Sequence, residues 1–229
     1  MMNRKKFLKN GLLGLGTVVA LPTLVPSCKK DEESIITPKN CSTYPSKIEG
    51  PFPILTPADL VRTNIIGNKT GIPLLVHIKI ENTNDNCQAL AGVLVDIWHC
   101  DSGGNYSEYS GQIDGDFTNE HFLRGRQTTG ADGIASFISI YPGWYPGRAP
   151  HLHIEIKRAN GESLLITQTA FPEDISNTVY ATNGYNGDLD TTNSDDFEFT
   201  DTIDKNLPTS ITGNTTDGYT MTETISVAG

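Results

Sequence analysis

The sequence predicts an all-β fold, a sandwich of antiparallel β-sheets. The chain has 229 residues, 37% hydrophobic and 19% charged, which is typical of a folded protein. After its N-terminal stretch it is rich in Thr, Asn, Gly and Asp and lacks long helical patterns. Short alternating or apolar segments, separated by turn residues, indicate strands that pack in two layers.

The predicted strands follow one another along the chain from residue 73 onward. They cover residues 73–80, 89–100, 133–141, 151–159, 162–171 and 219–227. The long polar tail after residue 171 contains aromatic residues at Tyr180, Tyr185, Phe197 and Phe199. Aromatic side chains favour burial, so we expect a long ordered excursion here rather than a disordered tail.

Three regions make up the predicted domain organisation: residues 1–28, 29–40 and 41–229. The first has a basic start and a short Gly-rich apolar run, which is typical of an export signal rather than a membrane span. The second is a polar tether without apolar periodicity. The third is the sandwich domain.

The export signal carries two further features. The run that begins at Arg4 resembles the twin-arginine motif, with a lysine in place of the second arginine. "LVPSC" resembles the box in which a cysteine is lipidated, so Cys28 is the predicted lipid anchor; the alternative is a signal cleaved nearby with Cys28 unmodified. The predicted location is the periplasm or the cell-envelope membrane.

The charge balance excludes nucleic acid as a partner. Four of the 17 basic residues lie in residues 1–27, which leaves 13 against 27 acidic residues, a formal charge of −14. Binding to phosphates needs a basic surface.

Three cysteines follow Cys28, and an exported protein can pair them. Cys41 and Cys87 lie in polar segments, whereas Cys100 ends an apolar run and is predicted to be a buried thiol. We expect a Cys41–Cys87 disulfide; the alternative is that all three stay free.

An Asn-Gly pair at residues 160–161 separates two alternating strands and predicts a two-residue hairpin turn. In that register Ala159 faces Glu162 and His153 faces Gln168. Directly opposed residues project to the same side of a sheet. His153 and Gln168 should therefore share a face, unless a bulge intervenes.

His151 lies two residues before His153 and shares its face, so the pair can chelate a metal ion. Such pairs on strands are often incidental, and zinc is one alternative to iron as the bound ion. Tyr145 precedes them in a Pro/Gly-rich loop, and Tyr106 follows a Gly-Gly loop. Phenolate is a hard donor suited to Fe(III). The alternative for Tyr106 and Tyr109 is a pair of surface aromatics in a flexible loop.

Three segments, "DIWHCDSGGNYSEY", "PGWYPGRAPHLH" and "LLITQTAF", together resemble the intradiol ring-cleavage dioxygenases. "CSTYPSKIEGPFP" resembles the segment before the catalytic domain of their secreted members. Within the family the chain is more similar to the protocatechuate 3,4-dioxygenase type and to these short secreted proteins. The resemblance covers residues 41–172. The helical dimerisation segment of the catechol-type branch is absent, and a homo-oligomer is compatible with the sequence without being required by it.

The resemblance implies a non-haem Fe(III) site and roles for six residues. The implied iron ligands are Tyr106, Tyr145, His151 and His153. Tyr145 is the ligand that leaves when substrate arrives, Arg148 stabilises negative charge on the ring, and Gln168 orients by hydrogen bonding.

The function expected from this resemblance is cleavage of a catechol-type ring between its two hydroxyls by O2, which gives a muconate-type diacid. The alternative is a catalytically silent surface module that binds a glycan or an aromatic polymer. His77, His99 and His121 are expected to be structural.

Overall fold

The computed structural model of the chain describes residues 41–229. The predicted export signal, the lipidation site at Cys28 and the tether at 29–40 lie outside these residues. Within the described part, no helix has the length and apolar character needed to cross a membrane.

Strands dominate the described chain, with one α-helix, and their bounds are as follows. They are β1 Pro73–Asn82, β2 Gln88–Ala89, β3 Leu94–Trp98, β4 Arg124–Thr128, β5 Ile134–Ile140, β6 His151–Lys157, β7 Ser163–Ala170, α1 Glu173–Tyr180, β8 Ser210–Asn214 and β9 Gly218–Val227.

Two sheets form the predicted sandwich, which is confirmed. One sheet has the order β4-β3-β6-β7 and is antiparallel throughout. The other has the order β2-β1-β9-β8, and β5 also pairs with β1. β1 and β9 fill the middle of this sheet; each has 10 residues, and they come from opposite ends of the domain. They run parallel, which the sequence pattern does not reveal.

The core lies between the sheets and explains the alternation along β6. Leu152, Ile154 and Ile156 are fully buried in a cluster with apolar side chains of β1 and β9. His151 and His153 therefore point to the other face of β6, away from this core. That face is covered by loops and holds the site described below.

The predicted strand over residues 89–100 is wrong as a single element. After β2 the chain leaves the sheet that contains β1 and β9, and at β3 it joins the sheet that contains β6 and β7. Gly92 lies between the two strands with φ of 76°, a conformation that breaks a strand. Only β3 contributes to the interior: Val95, Ile97 and Trp98 are fully buried, whereas both residues of β2 are exposed.

The tail after residue 171 is an ordered excursion, as predicted, and the strand expected at residues 219–227 is β9, but the helix and the strand before it were not visible in the pattern. It contains α1 and β8 before it returns as β9. Tyr180 and Phe199 are buried, whereas Phe197 is 67% exposed.

The hairpin between β6 and β7 differs from the predicted two-residue turn. Arg158 N donates to Glu162 O at 2.8 Å and Gly161 N donates to Arg158 O at 2.9 Å, so the loop has three residues. Ala159 consequently does not face Glu162. Gly161 adopts φ of 92°, the left-handed conformation that this kind of loop requires.

A bulge absorbs the extra residue before it reaches the histidines. The register shifts between Ile156 and Lys157, and His153 still pairs with Gln168. The predicted register is therefore confirmed at the site, although the turn that predicted it is different.

The cysteines are arranged as predicted. Cys41 and Cys87 form a disulfide with Cα atoms 5.9 Å apart, and Cys100 is a buried free thiol. The disulfide ties the start of the domain to the turn between β1 and β2.

Candidate metal centre

The candidate site lies on the loop-covered face of β6. His151 and His153 project from the strand itself. Trp98, at the end of β3, pairs directly with His153 in the sheet, and its ring stacks on the imidazole at 5.0 Å with an angle of 2°. Tyr106 comes from the long loop between β3 and β4, and Tyr145 from the loop that leads into β6.

Four donor atoms converge on this face. His151 Nε2 lies 3.1 Å from His153 Nε2, 3.3 Å from Tyr145 Oη and 3.4 Å from Tyr106 Oη. Tyr106 Oη also lies 3.2 Å from His153 Nε2. The structure therefore brings all four predicted ligands together.

These distances fit a shared cation better than a set of hydrogen bonds. His151 Nδ1 donates to Ala149 O at 2.6 Å, which leaves a single lone pair on Nε2 facing three other polar atoms. Two donors bonded to one ion at about 2.1 Å and at right angles are about 3.0 Å apart. The observed separations are close to that value.

Burial keeps both imidazoles neutral, which is the state that binds metals. The pKa of His151 is lowered well below its usual value by burial and by the charge of Arg148. Burial, then the neighbouring His151, lowers the pKa of His153 in the same direction. Neither ring needs to lose a proton before it can donate its Nε2 lone pair.

Burial has the opposite consequence for the phenols. It raises the pKa of Tyr145 to about 12 and that of Tyr106 well above its usual value. A strongly charged cation is therefore needed to convert them to phenolates. Two neutral imidazoles and two such phenols form a donor set suited to a trivalent ion.

The segment at residues 50–53, which precedes β1 in the chain, covers the site. Gly50 has φ of 81°, and a Cβ built on it would lie 2.9 Å from His153 Cε1. The ring of Phe52 lies 5.1 Å from that of Tyr106, and Tyr109 Oη donates to Pro53 O at 2.8 Å. Tyr106 is only 1% exposed, so the surface-aromatic alternative does not hold for it.

A buried ion pair holds the Tyr106 loop against this segment. Arg124 Nη2 donates to Ser107 O at 2.6 Å and Nη1 donates to Phe52 O at 3.0 Å. Glu108 lies 3.5 Å from Arg124 Nε and accepts a hydrogen bond from Leu55 N at 2.8 Å. Neither residue was predicted from the sequence, because nothing in their spacing shows that a buried pair follows the ligand.

Arg148 and Gln168 lie beside the donors. Arg148 Nη1 donates to Tyr145 Oη at 3.3 Å, and Nη2 donates to Gln168 Oε1 at 2.5 Å. Gln168 Nε2 donates to Ile48 O at 2.8 Å, so its amide joins the arginine to the covering segment. The structure thus brings both predicted residues next to the donors, Arg148 at Tyr145 and Gln168 opposite His153 in the sheet.

One other cluster of metal-ligating residue types exists among residues 41–229, formed by Cys41, Cys87 and Glu81. The two sulfur atoms are joined in the disulfide. The cluster thus offers a single carboxylate and does not compete with the Tyr/His site.

The remaining histidines have structural partners. His99 contacts Cys100 O and Ser139 Oγ at 2.8 and 2.7 Å, and burial lowers its pKa to about 4. His77 Nδ1 lies 2.8 Å from Ser136 Oγ. His121 is paired with Glu108 at 2.9 Å, a partner that its sequence context did not suggest.

Comparison with known proteins decides the family. The family profile described as "Dioxygenase" matches residues 48–183, more than half of the chain. The chain belongs to the intradiol dioxygenase family. Among solved structures, the intradiol ring-cleavage dioxygenase from Tetranychus urticae is similar at a TM-score of 0.72 and 30% identity, over 82% of this chain and 95% of that one.

Two curated relatives in the intradiol dioxygenase family match shorter stretches. The chlorocatechol 1,2-dioxygenase of Rhodococcus opacus is 31% identical over 155 residues, 56% of either chain. The protocatechuate 3,4-dioxygenase beta chain of Burkholderia cepacia is 30% identical over 115 residues, which are 46% of this chain and 49% of that one. The chain thus spans about half the length of these two relatives.

Proposed function

We propose that the protein is a non-haem Fe(III) intradiol dioxygenase, which cleaves a catechol-type ring between its two hydroxyl carbons with O2. The observation that carries the proposal is the convergence of two phenol oxygens and two neutral imidazole nitrogens within 3.1–3.4 Å. The relatives named above for chlorocatechol and protocatechuate support the same substrate class.

The four donors, Tyr106, Tyr145, His151 and His153, would hold the iron. When bound, Fe(III) would act as a Lewis acid that favours the phenolate forms of the tyrosines and the dianion of the catechol. The protein residues contribute the remaining functions.

Tyr145 is the proposed proton acceptor for the substrate. Its Oη contacts one imidazole at 3.3 Å, whereas Tyr106 Oη contacts both, so Tyr145 is the less constrained phenol. The raised pKa of its phenol, about 12, makes the released phenolate a strong base. Tyr145 would take one catechol proton on Oη as it leaves its position beside His151.

Arg148 is the proposed electrostatic group. Its guanidinium cannot lose its charge at ordinary pH, and it stands next to Tyr145 Oη at 3.3 Å. It would stabilise negative charge that develops on the ring. Gln168, held by Arg148 and by Ile48 O, would fix the orientation of that guanidinium.

The overall reaction consumes one catechol and one O2. The carbon–carbon bond between the two hydroxyl-bearing carbons breaks, and each of these carbons becomes a carboxyl group that keeps its former hydroxyl oxygen and gains one atom of O2, which gives a muconate-type diacid. Because the donors are buried, the site would exclude bulk water from this chemistry.

We also propose that the protein acts outside the cytosol, at the cell envelope. The Cys41–Cys87 disulfide supports this location, because such bonds persist in oxidising compartments. The export signal and the lipid anchor at Cys28 remain predictions of the sequence.

The test is to purify the protein with iron and measure its visible spectrum, its iron content and its oxygen uptake with catechol. Tyrosinate bound to Fe(III) should colour the protein wine-red, and catechol added without oxygen should shift that band. The product should be a muconate-type diacid. Colourless protein without iron, or protein that holds only zinc, would contradict the proposal and favour a binding module.

A further inference from the structure

One carboxylate outside the profile-matched residues reaches the site. Asp196 belongs to the excursion between α1 and β8 and is fully buried. Its Oδ2 accepts hydrogen bonds from Arg148 Nε at 2.8 Å and from Ala149 N at 2.7 Å. The family profile ends at residue 183, so the motifs that identified the other site residues do not include Asp196.

The contact with Arg148 restricts the guanidinium. A guanidinium has five N–H donors in one plane. In Arg148 the Nε donor goes to Asp196, one Nη1 donor to Tyr145 Oη and one Nη2 donor to Gln168 Oε1. Because each of the three guanidinium nitrogens donates a hydrogen bond, the guanidinium cannot rotate relative to the rest of the side chain without losing a charge-assisted one.

The contact with Ala149 extends the same restraint to a ligand. Ala149 N donates to Asp196 Oδ2, and Ala149 O accepts the hydrogen bond from His151 Nδ1 at 2.6 Å. That second bond sets which imidazole nitrogen faces the other donors. The Asp196 carboxylate therefore orients Arg148 directly, and it orients His151 through Ala149.

The turn that carries Asp196 also packs on these groups. Phe199 N donates to Asp196 O at 2.9 Å. The ring of Phe199 lies 5.8 Å from the guanidinium carbon of Arg148 and 6.4 Å from the ring of His151. The excursion thus closes over the arginine with an aromatic face as well as a carboxylate.

We propose that Asp196 is a positioning residue for the ring-cleavage reaction, which it supports by fixing the Arg148 guanidinium beside the leaving oxygen of Tyr145. This inference rests on the function proposed above. It gives the polar excursion after residue 183 a defined role at the site. A displacement of about 1 Å in a charged group can lower a rate by about 10²-fold, so loss of the restraint should affect turnover strongly.

The experiment compares Asp196→Asn with Asp195→Asn in the iron-loaded protein. Asp195 is its exposed neighbour and accepts a hydrogen bond from Thr192 on the surface, which makes it a matched control. We expect Asp196→Asn to keep its iron and visible band while kcat falls by about 10²-fold, with less than about threefold change in KM. Asp195→Asn should match the wild type.

A double-mutant cycle separates positioning from a general structural role. If Asp196 acts through Arg148, adding Asp196→Asn to Arg148→Met should lower kcat no further. An equal loss of kcat in both backgrounds would overturn the inference, and so would a wild-type kcat in Asp196→Asn.

A second readout does not depend on activity. In iron-free protein, Arg148→Met should lower the melting temperature because it leaves the Asp196 carboxylate buried without its cation, and the double variant should recover part of the loss. No recovery would contradict a direct pairing. If Asp196→Asn does not fold, Asp196→Glu keeps the charge but displaces it by one methylene, and a wild-type kcat there would overturn the inference.

The result for the unmodified protein distinguishes the two proposals. A wild type without iron or ring cleavage would contradict the proposed function and this inference with it. A wild type that cleaves catechol, with no coupling between residues 148 and 196, would contradict the inference alone.

Discussion

At the scale of single residues, the two tyrosines of the site differ in burial and in the number of imidazoles they contact. Tyr106 is 1% exposed and contacts both histidines, whereas Tyr145 is partly exposed and contacts His151 only. The two phenols should therefore not be equivalent when removed.

Replacing each tyrosine by phenylalanine tests this difference. Tyr106→Phe should weaken iron retention by at least about tenfold, because it removes a proposed ligand, and loss of a group that only orients a ligand already costs about that much. Tyr145→Phe should keep most of the iron but slow the binding of catechol, because the proton acceptor is lost. Iron analysis and stopped-flow spectra measure the two effects. Unchanged turnover in both variants would contradict the assigned roles.

Gly50 is a second residue on which the site depends. Gly50→Ala should lower the affinity for iron by about tenfold, since the new Cβ would meet His153 Cε1 at 2.9 Å in a backbone conformation of φ 81° that disfavours side chains. The measurement is iron content after dialysis against a chelator. Gly161→Ala is the matched control, because its φ is 92° but no atom lies within 4 Å of its Cβ. An equal loss in both would show that backbone strain alone is responsible.

At the scale of elements, the sequence predicted the strands that carry the ligands better than the loops that complete the site. Alternation along β6 and the pairing of His153 with Gln168 were predictable, because side chains in strands repeat every two residues. The break between β2 and β3, the helix α1 and the strands β4 and β8 were not, since short polar segments form these elements through tertiary contacts.

The convergence of Tyr106 with the histidines depended on resemblance to a family, because a pattern does not report the path of a long loop. The carboxylates of Glu108 and Asp196 were missed for the same reason. Each is buried by contacts with an arginine far away in the chain, Arg124 or Arg148.

The ion pair between β4 and the Tyr106 loop gives a prediction at this scale. Arg124→Met should lower the free energy of unfolding by about 3–5 kcal/mol, because Glu108 would remain buried without its cation. Arg158→Met, which removes an exposed pair with Glu162, should cost no more than about 1 kcal/mol. Urea unfolding of the two variants measures the difference. A small effect of Arg124→Met would show that Glu108 is stabilised by its other contacts.

At the scale of the whole molecule, β9 buries an acidic residue in the sheet that joins the two ends of the domain. Glu223 is 2% exposed, and burial raises its pKa from 4.5 to about 9. Burial raises the pKa of the nearby Tyr44, and the charge that Glu223 carries once it ionises raises it further. The folded state therefore binds a proton that the unfolded chain releases.

This proton makes stability depend on pH. A raised folded-state pKa gives stability that is complete below pH 4.5 and is lost as the pH rises through about 9. Each pH unit in that interval costs at most about 1.4 kcal/mol. Glu223→Gln should flatten this decline in urea unfolding at pH 5, 7 and 9, whereas Asp188→Asn on the surface should not. A wild-type slope in Glu223→Gln would contradict the assignment.

The parallel pairing of β1 with β9 has a consequence for how the chain folds. A strand at residues 73–82 has as its central neighbour a strand at residues 218–227, so the principal contact of this sheet has a very large sequence separation. Such contacts form slowly. A nascent chain on the ribosome cannot complete this sheet until nearly all of residues 41–227 has emerged, so the domain should fold as one cooperative unit and only once that stretch is available.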